Sequence, residues 1–306
     1  MGRLFPLAVL PAAVAATLAL AQAGPPPAPP GTIAVTDTRS YDPEAVNSFP
    51  IGRLARKMLY ATDSPRQRGE LRMPSGPGPH PLAVIWHGGC WSGMGSTANV
   101  AELARFLQRN GVAVLTLSYR ELGSGGGWPN TFSDWAQGLA LADYLHGGYE
   151  LDLDRVTLVG HSAGVTPAMW LATRDKGDPA AGTRLPKVRA VVALDGPLSL
   201  APLVGPDAAI CGQPVIAPLM GGTPAEVPER YALVDPLVNT PRIKRLLVVD
   251  GSLPDPDPAI IAGLRAQGIE VEVIRVDQDQ HFNMLVPGTK DFAAIAPALL
   301  DIARGR

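Results

Sequence analysis

The chain has little charge of either sign and no surplus of one. Lys and Arg number 26 against 28 Asp and Glu, for a formal charge of −2, and charged residues are 18% of 306. A nucleic-acid binder carries a basic patch as its electrostatic footprint, and a lipid-surface protein carries a Lys/Arg cluster; the sequence has neither. Histidine is scarce at 5 and cysteine at 2, and no His/Cys/Asp cluster has metal-ligand spacing. The sequence therefore implies no metal and no cofactor. It also lacks an internal repeat and a second block of composition. What it has is apolar bulk, 46% of residues, enough for a sizeable core in one large domain.

The one long apolar run stands at the start. Arg3 is followed by apolar sequence from Leu4 to Leu20 and then by Ala21-Gln22-Ala23. A charged residue, an apolar stretch and an A-x-A site predict a cleaved signal over residues 1–23. A single membrane anchor is the alternative, but the run holds two prolines, Pro6 and Pro11, and leads into the cleavage site. The expected location is secreted or periplasmic, with no stable membrane association after cleavage. Residues 24–31, GPPPAPPG, read as an extended linker, and 32–306 as the folded domain.

From residue 82 onward, short apolar runs alternate with helical patterns. The runs are 82–87, 111–119, 155–160, 188–194, 245–250 and 271–276, and continuous apolar runs suit strands covered on both faces. Helical patterns fill 97–109, 131–146, 164–174, 258–267 and 290–304. This alternation predicts an α/β fold with a mostly parallel central sheet and helices on both faces. Residues 66–74 read as an antiparallel edge strand, and 196–240 as a Pro-rich excursion over the pocket.

One strand-turn-helix carries Gly160-His161-Ser162-Ala163-Gly164, the G-x-S-x-G pattern in the context it needs. A sharp turn exposes a serine Oγ, and the helix behind favours developing negative charge. A serine nucleophile needs a base further along the chain. Of five histidines only His281, in a polar loop beyond the last strand, has that place in the order. The base needs an acid to hold its tautomer. VVDGSLPDPDP (248–258) offers Asp250, Asp255 and Asp257, of which Asp255 is favoured and Asp257 next, with Asp195 as the outside candidate. Each could instead be a turn-forming Asp. A tetrahedral oxyanion also needs preorganised N–H donors. Ala163, after the serine, supplies one, and the Gly-rich turn at 87–91 (HGGCW) the others. The donor at position 90 is backbone, so a cysteine there does not abolish it.

These motifs make residues 66–300 resemble an α/β-hydrolase of the esterase branch with an H-G-G-x-W oxyanion motif, similar to kynurenine formamidase-like enzymes and carboxylesterases. GGGWPNTFSDW (125–135) and GGTPAEVPERY (221–231) resemble further stretches of that family. The resemblance implies a triad of Ser162, Asp255 and His281, and an oxyanion hole from Gly89, Cys90 and Ala163. In one respect the chain departs from it. The family usually shows G-x-x-D after strand 7, whereas Gly251 is followed at that spacing by Pro254, which leaves Asp255 one residue late. The implied activity is hydrolysis of a small carboxylic ester or amide through an acyl-enzyme. Arylformamide hydrolysis and a non-catalytic binding protein of the same fold are the alternatives.

Export would place both cysteines in an oxidising compartment. Loops after parallel strands gather at one edge of the sheet, so a Cys90–Cys211 bridge across the pocket is expected, with two separate buried thiols as the alternative.

Overall fold

A computed structural model of the chain describes Gly2 and residues 33–174 and 185–306. The expected signal (Gly2 aside) and the linker lie outside these residues. Eight strands form one sheet: β1 (Arg56–Leu59), β2 (Arg68–Arg72), β3 (His80–Trp86), β4 (Ala113–Leu117), β5 (Leu151–His161), β6 (Val188–Leu194), β7 (Arg245–Asp250) and β8 (Glu270–Arg275). Their spatial order is β1-β2-β4-β3-β5-β6-β7-β8. The β1–β2 and β2–β4 pairs are antiparallel and the rest parallel.

Alternation within apolar runs explains how the sheet is covered on both faces. In β3, Leu82, Val84 and Trp86 point to one core and Ala83 and Ile85 to the other. β6 divides likewise, with Val191 and Ala193 on the first face and Ala190, Val192 and Leu194 on the second. Helices α1 (Pro43–Asn47), α2 (Ala101–Arg109), α3 (Asn130–His146), α4 (Val165–Leu171), α5 (Asp207–Cys211), α6 (Ile216–Met220), α7 (Pro228–Leu233), α8 (Pro258–Ala266) and α9 (Lys290–Ala303) surround it. Trp135 and Leu139 of α3, Ala168 of α4 and Leu264 of α8 cover the first face. Leu103 and Leu107 of α2 and Phe292, Ile295 and Leu299 of α9 cover the second. Each such Leu, Ile or Phe removed from water contributes roughly 1.5–3 kcal/mol, so the two cores lock the central strands in register.

The sheet differs from expectation at one edge. The segment at 66–74 is a strand, β2, but it is not the outermost one, because β1 pairs outside it. β1 reads RKML and is largely exposed, so it has no apolar alternation to reveal it. β5 starts at Leu151, before the expected 155. Its polar first half pairs with His80 and Pro81, and the register shifts between Pro81 and Leu82. The excursion at 196–240 holds three short helices, α5 to α7. No described helix is long and apolar enough to cross a membrane.

Parallel pairing brings strand ends together. Trp86 lies beside Gly160, His161 beside Leu194, and Leu194 beside Val249. The turns that follow β3, β5, β6 and β7 therefore meet at one edge.

Candidate active site

β5 runs into a tight turn, Ser162–Gly164, and then into α4. Ser162 has φ +53°, a left-handed conformation that non-glycine residues rarely adopt. The turn is so sharp that a Cβ on Gly160 would stand 2.1 Å from the Gly164 carbonyl oxygen, and one on Gly164 would stand 2.3 Å from that of Trp86. That is the physical reason for glycine on both sides of the serine. Among the described residues, four non-glycines have positive φ: Cys90, Trp91, Ser162 and Asp195. All four lie on the turns that gather at this edge. Such conformations cost on the order of 1–3 kcal/mol each and persist where the surroundings impose them, as at functional sites.

The turn after β3 packs directly on the serine. A Cβ on Gly88 would be 2.7 Å from the Ser162 Cβ. His87 braces this turn. It is fully buried, stacks on Tyr119 at 4.9 Å, and donates from Nδ1 to the Gly88 carbonyl at 2.8 Å, while the Tyr119 hydroxyl donates to the His87 carbonyl at 3.1 Å. Burial pushes the His87 pKa down to about 4, so the ring is neutral at physiological pH. The amides of Gly89 and Cys90 donate to no acceptor among the described residues, which leaves them free at the rim of the cavity.

The structure places Asp195, not Asp255, against His281. His281 Nδ1 donates to Asp195 Oδ2 at 2.6 Å. A carboxylate only accepts, so this bond puts the proton on Nδ1 and leaves Nε2 free to accept. Asp195 directly follows β6, is 3% exposed, and is cradled by the turn after β7. Its carboxylate accepts from the amides of Gly251 (3.2 Å), Ser252 (2.9 Å) and Leu253 (3.1 Å) and from the Ser252 hydroxyl (3.2 Å). Burial alone would raise its pKa, but His281 and the amides of Leu253 and Ser252 outweigh burial and hold it below the usual carboxylate range. Gly251 is required here because a Cβ would stand 2.7 Å from Asp195 Oδ2.

The other acids are engaged elsewhere. Asp255 is exposed and paired to Arg275 at 2.8 Å, and the same arginine holds the buried Asp250 at 2.7 Å. Asp257 caps α8 by accepting from the Ala259 amide at 2.8 Å. Arg275 thus pairs with both Asp250 and Asp255, and the imidazole's carboxylate partner is Asp195.

His281 is held at a second point. His161 Nε2 donates to the His281 carbonyl at 3.0 Å, and the two rings lie 4.6 Å apart. Burial, helped by His281, pushes the His161 pKa down to about 3, so a neutral ring supports the neighbouring one. Ser162, His281, Gly89 and Cys90 line one cavity. Ser162, Ala163 and Cys90 also line a much smaller one. Cys90 and Cys211 are joined by a disulfide with Cα atoms 6.0 Å apart, and both cysteines line the smaller cavity. The bridge ties α5 to the Gly-rich turn, as the gathering of loops at one edge led one to expect.

The sequence reading missed one wall. Pro43 and Asn47 of α1 line the larger cavity with Met94 and Phe282. This arm is anchored by the Tyr41 amide donating to Asn283 Oδ1 at 2.9 Å, and Asn47 Nδ2 donates to the Met94 carbonyl at 3.0 Å. Residues this distant in the chain leave no spacing to read.

A family model described as BD-FAE matches residues 71–252. Among solved structures, a truncated carbohydrate esterase from gut microbiota superposes with TM-score 0.62 at 19% identity, covering 82% of this chain and 97% of its own. Esterase B from Lactobacillus rhamnosis, bound to a C6-C4 SN3 inhibitor, gives 0.65 at 14% identity, covering 84% and 89%. The bifunctional GH43-CE of Bacteroides eggerthii gives 0.61 at 20% identity over 80% of this chain, which spans only 37% of that protein's length. At these identities the likeness is one of fold. No curated protein matches the chain.

Proposed function

Because the chain belongs to the BD-FAE family, a group of α/β-hydrolase esterases, we propose that it is an exported serine esterase cleaving a small carboxylic ester at Ser162. The pair of Asp195 and His281 at 2.6 Å, opening onto the cavity that Ser162 lines, carries this reading. Ser162 Oγ attacks the ester carbonyl while His281 Nε2 takes its proton. Asp195 holds the tautomer and stabilises the imidazolium. The amides of Gly89, Cys90 and Ala163 receive the oxyanion. The imidazolium returns the proton to the departing alkoxide, leaving an acyl-serine. Water then attacks with His281 as base and frees the acid. A strained serine turn and a buried Asp195–His281 pair opening onto the same cavity favour an enzyme over a non-catalytic binder, and the family favours an ester over an arylformamide. Export is supported by the Arg3–Ala23 pattern and by the disulfide, a feature of oxidising compartments.

Ser162→Ala tests the reading. The oxyanion donors stay and alanine fits the turn, so kcat on p-nitrophenyl acetate should fall by about 10³-fold or more. Retention of more than about a tenth of the rate would exclude Ser162 as the nucleophile.

A further inference from the structure

The two cavities at Ser162 are chemically distinct, and the direction of proton transfer assigns them. The leaving oxygen must take its proton from His281, so the alcohol lies on the His281 side, in the larger cavity with Asn47 and Phe282. The acyl substituent then points the other way, into the smaller cavity, which Ala163 and Cys90 line and His281 does not. The walls there are apolar: the Cys90–Cys211 bridge, Trp91, Leu203, Ile210 and Ile216. Asp207 is the exception, but its carboxylate is spent on the amides of Gly205 (3.0 Å), Val215 (2.8 Å) and Ile216 (2.7 Å). The cavity offers an acyl group shape and apolar contact, with no charge to meet.

Beyond it lies a third cavity, between the excursion after β6 and the turn after β7. Leu253, whose amide holds Asp195, lines all three cavities, and so does Ile210. It sits in α5 beside Cys211, so the bridge to Cys90 fixes its place relative to the oxyanion turn. We propose that Ile210 is the residue that sets acyl length, closing the small cavity against the third one and restricting the enzyme to short, uncharged acyl groups. This rests on Ser162 being the nucleophile of an esterase. Pro197, Leu203 and Leu253 share the wall between the small and third cavities with Ile210, and truncating Ile210 thins that wall to make room for a longer chain. The side chain is 39% exposed, so its loss leaves the fold intact.

The test is kcat/KM for p-nitrophenyl acetate, butyrate, hexanoate and octanoate, a series in which only the acyl group changes. The native protein should lose about 10-fold or more between butyrate and octanoate, since a pocket discriminates by about 10-fold or more for a methylene it cannot place. Ile210→Ala should raise the octanoate-to-acetate ratio by about 10-fold, and Ile210→Trp should lower the butyrate-to-acetate ratio. Ratios within about twofold of native in both variants, or a native protein as fast on octanoate as on acetate, would overturn the assignment of Ile210 while leaving the esterase intact. A native protein that cleaves none of the four esters would overturn the serine-esterase reading and the acyl assignment with it.

Discussion

Replacing Asp195 by asparagine removes the charge from the most connected side chain of the site and leaves its shape. Oδ1 accepts from Gly251 and Leu253, and Oδ2 from Ser252 and His281 Nδ1. An asparagine has one oxygen to offer. If its NH₂ takes the Oδ2 place, it donates to Nδ1 and forces the proton onto Nε2, which then cannot accept from Ser162. If it takes the Oδ1 place, it meets two N–H donors and leaves both unsatisfied. The first orientation costs activity and strands the Ser252 amide, and the second strands the Gly251 and Leu253 amides. A wrong tautomer costs about 10⁴-fold in the best-studied triad, about 5 kcal/mol of transition-state stabilisation. Unsatisfied buried donors cost about 1–3 kcal/mol of stability each. Asp195→Asn should therefore lower kcat on p-nitrophenyl acetate by about 10³–10⁴-fold, in protein that urea denaturation shows to be folded and weakened. Asp255→Asn and Asp257→Asn should stay within about threefold of native, because one loses a surface ion pair and the other a helix cap. A loss below about tenfold for Asp195→Asn, or a larger loss for Asp255→Asn, would refute the assignment of the acid.

Reducing the Cys90–Cys211 bridge should lower both stability and activity. The bridge spans 121 residues of sequence, for which chain entropy predicts about 5 kcal/mol and a Tm lower by about 10 °C. The loosened turn also misplaces the Gly89 and Cys90 amides; if reduction lowers Tm and leaves kcat/KM unchanged, the bridge has no part in catalysis. Acid should destabilise the fold through His87, whose pKa drops from 6.5 to about 4 on folding. A depressed folded-state value means that the unfolded chain takes the proton first, so stability present above pH 6.5 is lost as pH falls toward 4. Between pH 7 and 5 the native protein should lose about 2 kcal/mol more than His87→Asn in urea denaturation, and parallel losses would show that the ring is not held neutral.

Where side chains alternate between two cores, the strands were legible: 188–194 and 245–250 fall on β6 and β7. β1 was not, because an exposed edge strand needs no apolar period. Ser162 and His281 were legible from a local motif and from chain order, and the structure brings them to one cavity. The acid was not. β6 and β7 both run into Asp-Gly, at Asp195-Gly196 and Asp250-Gly251, so local sequence does not separate them. In the structure Arg275 holds Asp250 and Asp255, while three amides are aimed at Asp195. Both are long-range contacts. The arm around Asn47 was hidden for the same reason.

A fluorophosphonate probe tests the central claim most directly, because it phosphorylates a serine only where a base activates it and an oxyanion hole receives the charge. Native protein should gain one adduct mass, mapped to Ser162 by peptide fragmentation, and Ser162→Ala and Asp195→Asn should label not at all and far more slowly. Folded native protein that stays unlabelled, or labels on a residue other than Ser162, would contradict the account.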